Sequence, residues 1–217
     1  NTNMLSDYAA IKNGSYGKLM KAYYAKQDAE KLSGKGDTSQ KLTLMKTSAD
    51  SLKKSADALN DSSLWEKKKI KKKDEKTGEE IAVEDYDWDK ITKAVKSFVE
   101  DYNDVVKEAG ESNTKDVLRN ASWMTGMTDK NSNMLAKIGI TIGKGNKLEL
   151  DEDALKQADI SSLKTVFTGY NSFVSKISQK ATGISNAANR ASATYTNNGT
   201  YSKTDSSLTS SKIDKEV

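Results

Sequence analysis

The stretch that decides the fold is TSQKLTLMKTSADSLKKSADALN, residues 38–60. Its apolar side chains recur at alternating steps of three and four residues, with lysine, serine and aspartate between them. This spacing places them in one narrow stripe along a single face of an α-helix. Such a stripe is stable only when other helices cover it, so we expect a helical bundle. The stripe comprises Leu42, Met45, Ala49, Leu52, Ala56 and Leu59.

The same spacing returns in two later segments, so the sequence predicts three long helices, at residues 38–60, 88–110 and 170–195. Two less regular helices are predicted at residues 4–32 and 114–137, the second with a weak point at Gly126. The predicted seam positions are Ile91, Val95, Phe98, Tyr102, Val105 and Ala109 in the second long helix, Tyr170, Val174, Ile177, Ala181, Ile184, Ala188, Ala191 and Tyr195 in the third, and Val117, Leu118, Ala121, Met124 and Leu135 in residues 114–137.

Side chains that accept hydrogen bonds from backbone N–H groups precede several of these helices. Asp37 or Thr38 is predicted to begin the first long helix, and Asp87 or Asp89 the second. Asp151 is predicted to cap a further short helix.

Two segments break the helical spacing and predict β-hairpins. Residues 64–86 contain two short runs around a turn that ends at Gly78. The predicted register places Lys73 opposite Glu79 and Ile70 opposite Ala82, so that opposite charges meet across one face. The second hairpin, residues 138–150, has a Gly-Lys-Gly-Asn turn between alternating apolar residues.

Proline, cysteine and histidine are absent from the 217 residues. Because proline breaks helix interiors, its absence favours long uninterrupted helices. The lack of cysteine and histidine excludes disulfides, thiolate nucleophiles, iron–sulfur clusters and the usual serine triad, and it removes the commonest zinc ligands. The formal net charge of +4 is too small to predict a nucleic-acid partner, and no run approaches the roughly 20 apolar residues that span a membrane.

Three segments look like fragments of binding sites, but each has a simpler structural explanation. The lysine run at residues 67–73 suits phosphate or an acidic lipid surface, yet pairing with the acidic run at residues 79–84 explains it better. Residues 143–145 suit a hairpin turn better than an anion site, and residues 151–153 suit a helix N-terminus better than a calcium loop. We therefore predict no catalytic, cofactor-binding or metal-ligating residue, and no enzyme.

Residues 91–195 contain four motifs in a fixed order. A Phe-Val-x-x-Tyr-Asn helix precedes a Leu-x-x-Ile-Gly-Ile segment and a Leu-x-Leu-Asp-Glu-x-x-Leu signature. A Val-x-x-Leu-Phe-x-Gly-like element follows, matched at its Phe and Gly but with Val166 directly before the Phe. In this order they resemble the carboxy-terminal region of the bacterial flagellar filament-capping protein family, also called hook-associated protein 2. The matching residues are Phe98, Val99, Tyr102 and Asn103, then Leu135, Ile138, Gly139 and Ile140, then Leu148, Leu150, Asp151, Glu152 and Leu155, and finally Phe167 and Gly169.

The resemblance implies an extracellular axial component of the bacterial flagellum, exported by the flagellar type III apparatus without a cleaved signal peptide. Members of this family are similar to flagellin, with helical ends and β-rich inserts, and they assemble in rings at the filament tip. The implied partners are further copies of the chain and flagellin-like or other axial subunits, with no nucleic acid, no membrane insertion and no cofactor. In place of the family's usual β-rich domains, this chain has only the hairpin at residues 64–86.

The sequence thus predicts a mainly α protein, an elongated antiparallel helical bundle or coiled-coil-like rod with two small β-hairpins. Residues 1–195 are predicted to form a single elongated helical domain, with a hairpin insertion at 64–86 and a second hairpin at 138–150. Residues 196–217 are predicted to form a Ser/Thr-rich flexible tail.

Two functional hypotheses follow. The leading one is a structural assembly protein of the bacterial flagellum, of filament-cap or hook-associated type, which acts through subunit–subunit contacts. The alternative is a secreted or surface adhesion module, with a helical stalk and the charged hairpin as its tip. A stable monomer that binds host glycans or proteins would favour the adhesion module.

The seam assignment predicts unequal effects of substitution. Leu52→Asp should lower the free energy of unfolding by several kcal/mol because it buries an unpaired charge. Lys69→Ala, on the predicted solvated strand, should change it by no more than about 0.5 kcal/mol. Denaturant melts of the two variants measure both values, and equal losses would contradict the assignment.

Overall fold

The computed structural model of the chain describes residues 36–73, 78 and 80–193. Within these residues lie seven α-helices and two antiparallel two-stranded sheets, which confirms the predicted mainly α class with two small hairpins. The predicted helix at residues 4–32 and the predicted tail at 196–217 lie outside the described residues. The helices are α1 (Ser39–Asn60), α2 (Trp88–Gly110), α3 (Lys115–Lys130), α4 (Ser132–Ala136), α5 (Glu152–Gln157), α6 (Ile160–Phe167) and α7 (Phe173–Ala193), and the strands are β1 (Lys68–Lys73), β2 (Glu80–Asp85), β3 (Ile140–Ile142) and β4 (Leu148–Leu150).

The four long helices pack around one hydrophobic core. Helix α1 lies between α7 and α2, and α3 contacts both α7 and α2. The apolar stripe of residues 38–60 is covered within the chain, since all six of its members are buried. The predicted seams of α2 and of residues 114–137 are buried as well.

The third predicted seam is correct in its middle and wrong at its start. Val174, Ile177, Ala181, Ile184 and Ala188 are buried, whereas Tyr170 is 82% exposed. Tyr170 lies outside the helix because α7 begins at Phe173, after a turn in which Gly169 has a φ of 98°. Ala191 packs half-buried against the core. The last predicted seam position, Tyr195, lies outside the described residues.

Polar pairs fix the register between α1 and α7. The hydroxyl of Ser185 donates to Asp50, and the hydroxyl of Ser178 donates to Asp57, each at 2.6 Å. The two aspartates are seven residues apart on α1 and the two serines are seven residues apart on α7. Because the higher-numbered aspartate meets the lower-numbered serine, the helices run antiparallel. The pairs repeat once per two helical turns along the contact.

A single carboxylate ties the start of α1 to the start of α3. Thr38 caps α1, because its hydroxyl oxygen accepts from the backbone N–H of Lys41 at 3.3 Å. Asp37 is 4% exposed and instead accepts hydrogen bonds from the segment that leads into α3. The donors are the hydroxyls of Ser112 (2.7 Å) and Thr114 (2.8 Å) and the backbone N–H groups of Asn113 (2.9 Å) and Thr114 (3.0 Å).

Two predicted details at helix ends have clear outcomes. Asp87 caps α2, because its carboxylate accepts from the N–H of Lys90 at 3.1 Å.

The predicted weak point at Gly126 is wrong, since α3 continues through it to Lys130 and the break falls at Asn131. There the Asn131 side chain donates to the carbonyl of Met127 at 2.8 Å, which satisfies a carbonyl in the last turn. Buried Thr125 and Thr128 lie on either side of Gly126 along the helix, so packing offsets its low helix propensity.

Both predicted hairpins form, but the register of the first differs by one residue. Strand β1 pairs with β2 so that Ile70 faces Val83 and Lys73 faces Glu80. The predicted register, with Ile70 opposite Ala82, is therefore wrong. Since partners across an antiparallel ladder share a face, the observed register gathers Ile70, Val83 and Ile81 on one face. The charged pairs consequently lie on both faces instead of one.

The second hairpin agrees with its prediction. Ile140 faces Leu150 and Ile142 faces Leu148, on either side of the turn at residues 143–146. Two residues of this turn, Gly145 and Asn146, have positive φ values of 74° and 63°.

Removal of the Asp37 carboxylate should destabilise the bundle. Asp37→Asn should lower the free energy of unfolding by about 1–3 kcal/mol at pH 7, because an amide cannot accept all of these bonds. The matched control is Asp104→Asn, an exposed position on α2, which should change it by no more than about 0.5 kcal/mol. Urea melts provide the comparison, and equal effects would contradict the tie between α1 and α3.

The same carboxylate predicts a pH dependence. Burial alone raises the pKa of Asp37, but hydrogen bonds from Ser112, Asn113 and Thr114 and the charge of Lys41 outweigh it and lower the pKa below its usual value. A carboxyl with a lowered pKa stabilises the fold above its unfolded pKa of about 3.9, and this contribution is lost as the pH falls through the folded value. The stability gap between wild type and Asp37→Asn should therefore stay constant from about pH 7 to 5 and close below about pH 4. A gap that does not narrow at all as the pH falls below the unfolded pKa of about 3.9 would refute this assignment.

The register pairs of α1 and α7 predict a measurable coupling. A double-mutant cycle of Asp57→Ala and Ser178→Ala should give a coupling energy of about 0.5–1.5 kcal/mol. The control cycle combines Asp57→Ala with Ser185→Ala, positions one heptad out of register, and should give less than about 0.5 kcal/mol. Equal couplings in the two cycles would show that the pairs do not define the register.

Candidate assembly surfaces

The two ends of the bundle present different features. At one end the chain enters the described part at Gly36, and α7 reaches Ala193. Arg190, near the end of α7, lies 3.3 Å from the Asp116 carboxylate in the first turn of α3. The opposite end carries the β1–β2 hairpin, which is inserted between the end of α1 and the start of α2. Entry and exit of the described chain thus share one end, and the hairpin lies at the other.

A shallow groove follows the first of these ends. It runs beside the Asp37 carboxylate, and Lys115, Asp116 and Arg190 supply charges of both signs along it. Lys41 adds to this cluster, since its ammonium lies 3.4 Å from Asp37 and donates to the backbone carbonyl of Glu111. We call this surface the terminal groove; its lining residues are Gly36, Asp37, Leu42, Asn113, Thr114, Lys115, Asp116, Ala187, Arg190 and Ala191.

The first motif of the sequence analysis supplies the centre of the fold. The Phe98 ring makes edge contacts with Phe167 at 6.5 Å and with Phe173 at 6.3 Å between centroids, and so joins α2 to α6 and α7. The hydroxyl of Tyr102, a fully buried side chain, donates to Thr128 on α3 at 2.9 Å. This burial raises the pKa of Tyr102 well above its usual value, which keeps the phenol neutral. The motif aromatics therefore have a packing role.

Asn103 attaches the second hairpin to α2. Its side-chain nitrogen donates to the carbonyl of Leu148 at 2.9 Å, and its oxygen accepts from the N–H of the same residue at 2.7 Å. One amide thus satisfies both backbone groups of a residue on a strand that lies against the helix. The contact joins the first motif to the third.

The glycine of the second motif permits a close approach of two backbone segments. Gly139 has a φ of 80°, and a Cβ atom there would lie 2.6 Å from the carbonyl oxygen of Asp151. The Gly139 carbonyl accepts from the N–H of Asp151 at 2.8 Å. The Asp151 side chain in turn caps α5 by accepting from the N–H groups of Asp153 and Ala154 at 3.0 and 2.9 Å. The second and third motifs therefore form one structural unit.

The first hairpin is exposed on both faces but firmly anchored at its base. The Trp65 side chain is 1% exposed, stacks on Phe167 at 5.4 Å and donates from Nε1 to the carbonyl of Leu59 at 2.8 Å. Beyond this anchor, every β1 and β2 residue whose burial is described is exposed or only half-buried. At the return of the hairpin, Tyr86 contacts Trp88 edge to face at 6.4 Å.

Large apolar side chains also reach solvent on the helices. In the described part of the chain these include Trp123 on α3, 62% exposed, and Leu44 on α1, 50% exposed. The ammonium of Lys180 on α7 lies 5.0 Å from the centroid of the Trp123 ring, a cation–π contact. Such scattered apolar residues do not form a large patch by themselves.

The described ionisable groups do not converge on a reactive centre. Asp101 has a raised pKa, first because of burial and then because of the neighbouring charges of Asp104 and Glu100, against a hydrogen bond from Ser55 that lowers it. Its side chain lines an open groove between α1 and α2 whose other charged members are lysines. Among the described residues, no group of three or more acidic side chains is placed to hold a metal ion. Of the helices described, none is long and apolar enough to cross a membrane.

The three segments that looked like fragments of binding sites lie in separate places. The lysine run forms β1, residues 143–145 form the turn between β3 and β4, and residues 151–153 form the start of α5. Glu152 pairs with Lys96 on α2 at 3.3 Å. The structure therefore does not bring these three segments together.

Sequence reasoning missed three structural roles. The tie by Asp37 depends on contacts with residues 112–114, and the anchor by Trp65 on a contact with α6. No local pattern encodes either contact. The aspartate–serine pairs of α1 and α7 do have a sequence signal, because both helices carry their polar partners at a seven-residue spacing.

The comparisons with known proteins give a match for the carboxy-terminal part of the chain. Residues 112–216 match the family model described as Flagellar hook-associated protein 2 C-terminus. No curated protein and no solved structure gives a significant match. The matched range begins at Ser112, whose hydroxyl donates to Asp37. It contains the second, third and fourth motifs of the sequence analysis. Residues 112–216 are therefore similar to the C-terminal region of the flagellar hook-associated protein 2 family.

Proposed function

We propose that this chain is a structural subunit of the bacterial flagellum, of filament-cap or hook-associated type, and that it acts through contacts with neighbouring subunits. The family match over residues 112–216 is the observation that carries this proposal. The motif residues within this range have packing roles. Gly139 lets its segment approach the start of α5 closely, and Leu148 is held to α2 by Asn103. Because these motif residues pack inside the fold, we expect the chain to act through its exposed surfaces.

Two surfaces suit such a role. The terminal groove lies where the described chain enters and leaves the bundle, and the anchored β1–β2 hairpin projects from the other end. In this proposal the bundle and its two hairpins form a single domain that holds these surfaces apart. The partners are further copies of the chain and other axial subunits of an extracellular filament.

The alternative of an adhesion module is less well supported. The charged strands β1 and β2 that would carry its adhesive surface are present, but the family match points to the flagellum and not to host binding. An enzymatic role has no support either, since the family is a structural one.

Deletion of the gene in the source bacterium tests the proposal. We expect non-motile cells that shed monomeric flagellin into the medium, measured by swimming assays and by immunoblots of culture supernatants. A plasmid copy of the wild-type gene should restore filaments, and so should the Lys144→Ala variant, whose change lies in an exposed turn. The Leu52→Asp copy should fail because it disrupts the core. Normal filaments in the deletion strain would overturn the proposal.

A further inference from the structure

The two strands of the first hairpin carry opposite charge. Strand β1 contains five lysines among its six residues, and β2 contains three acidic residues and no basic one. Within the hairpin, Lys69 faces Glu84, and the Lys71 ammonium lies 3.2 Å from the Glu80 carboxylate. The hairpin therefore has one basic edge and one acidic edge.

Both edges are open to further pairing in the described part of the chain. The sheet there consists of β1 and β2 alone, so each strand has a partner on one side only. The outer side of each strand presents a row of backbone N–H and C=O groups without ladder partners, and such a row is a template for another strand. Ile81 is 41% exposed and shares a face with Ile70 and Val83, so this face also offers apolar contact to a neighbour.

The base of the hairpin holds these edges in a defined place. Trp65 fixes the entering chain in the core, and the Tyr86–Trp88 contact lies where the chain returns to α2. The Lys67 ammonium lies 5.7 Å from the Tyr86 ring centroid and links the two sides of the base. Because the base is fixed, less conformational entropy is lost when a neighbouring strand pairs with an edge.

We propose that β1 of one copy pairs with β2 of the next copy, so that the hairpins of successive subunits form one continuous antiparallel sheet. This inference rests on the proposed self-assembly and names the surface that performs it. In such a sheet each lysine-rich strand lies between two acidic strands, and each acidic strand lies between two lysine-rich ones. The occupant of each edge is therefore a second copy of this chain.

Charge selects this arrangement over the symmetric ones. Pairing of β1 with β1 would place lysines opposite lysines, and pairing of β2 with β2 would place acids opposite acids, both of which are unfavourable. Only the pairing of unlike edges remains. Such a contact joins different surfaces of the two subunits, so it extends from copy to copy and closes into a ring where the rotation between subunits permits.

A charge-swapped chain tests the inference without disturbing the hairpin itself. The full chain carries Lys69→Glu, Lys71→Glu, Lys73→Glu, Glu80→Lys and Glu84→Lys together. The ladder pairs 69–84 and 73–80 and the ion pair 71–80 keep opposite charges within the hairpin, while β1 becomes net acidic and β2 net basic. Circular dichroism melts of both proteins report whether the swapped chain folds like the wild type.

Assembly is measured by native mass spectrometry of each protein alone and of an isotopically labelled mixture. We expect each protein to form oligomers with itself, because unlike edges still meet. In the mixture, mixed oligomers should be at least about 10-fold rarer than random exchange predicts, because like charges meet at every contact between the two proteins. A matched control mixes labelled and unlabelled wild type, which should exchange randomly.

Free mixing of swapped and wild-type chains would overturn the inference, and so would a wild-type chain that stays monomeric at all concentrations. Salt dependence provides a second readout, which applies even if the swapped chain does not fold. The wild-type dissociation constant should rise at least about 10-fold between about 0.05 and 1 M NaCl, because exposed charge pairs are screened. A dissociation constant that salt leaves unchanged would also contradict the inference.

The deletion strain separates this inference from the proposed function. If chains mix freely while the deletion strain sheds flagellin, the hairpin pairing is wrong and the flagellar role stands. If the deletion strain makes normal filaments while like charges still prevent mixing, the flagellar role is wrong and the pairing mode stands.

Discussion

The antiparallel contact between α1 and α7 is the constraint on which the rest of the structure depends. Both helices contribute small, fully buried residues to the core, Ala49 and Ala56 on α1 and Ala181 and Ala188 on α7. Small side chains allow two helix backbones to approach closely, but they leave few features that would define the register. The aspartate–serine pairs supply that definition. Helices α2 and α3 then complete the core on the two sides of this pair.

The hydrophobic residues of this chain are few, and the fold uses them for packing between its elements. Only 35% of the residues are hydrophobic, and the long helices use theirs for seams. The aromatic and amide groups of the motifs join α2 to the second hairpin, α6 and α7, through Phe98 and Asn103. The described part of the chain thus presents two ends of different chemistry on a common support.

The sequence predicted those parts of the fold that local periodicity encodes. The stripe of residues 38–60 was predicted residue by residue, because an a/d pattern without glycine or proline has one helical interpretation. The start of α7 was predicted too early because Tyr170 matches the spacing by chance, whereas the turn at Gly169 ends the regular structure. The hairpin register was wrong by one residue because cross-strand charge was weighed above the apolar face of Ile70 and Val83. Contacts distant in the chain, such as those of Asp37 with residues 112–114, have no local signature at all.

Cysteine cross-linking tests the α1–α7 register most directly, since the chain has no cysteine of its own. Asp50→Cys with Ser185→Cys, and Asp57→Cys with Ser178→Cys, should each form an intramolecular disulfide under mild oxidation, measured by the shift on non-reducing gels. Asp50→Cys with Ser178→Cys should not, because a seven-residue offset separates the thiols by about 10.5 Å along the axis, beyond disulfide reach. Equally rapid cross-linking of the mismatched pair would contradict the antiparallel register from which both assembly surfaces derive their positions.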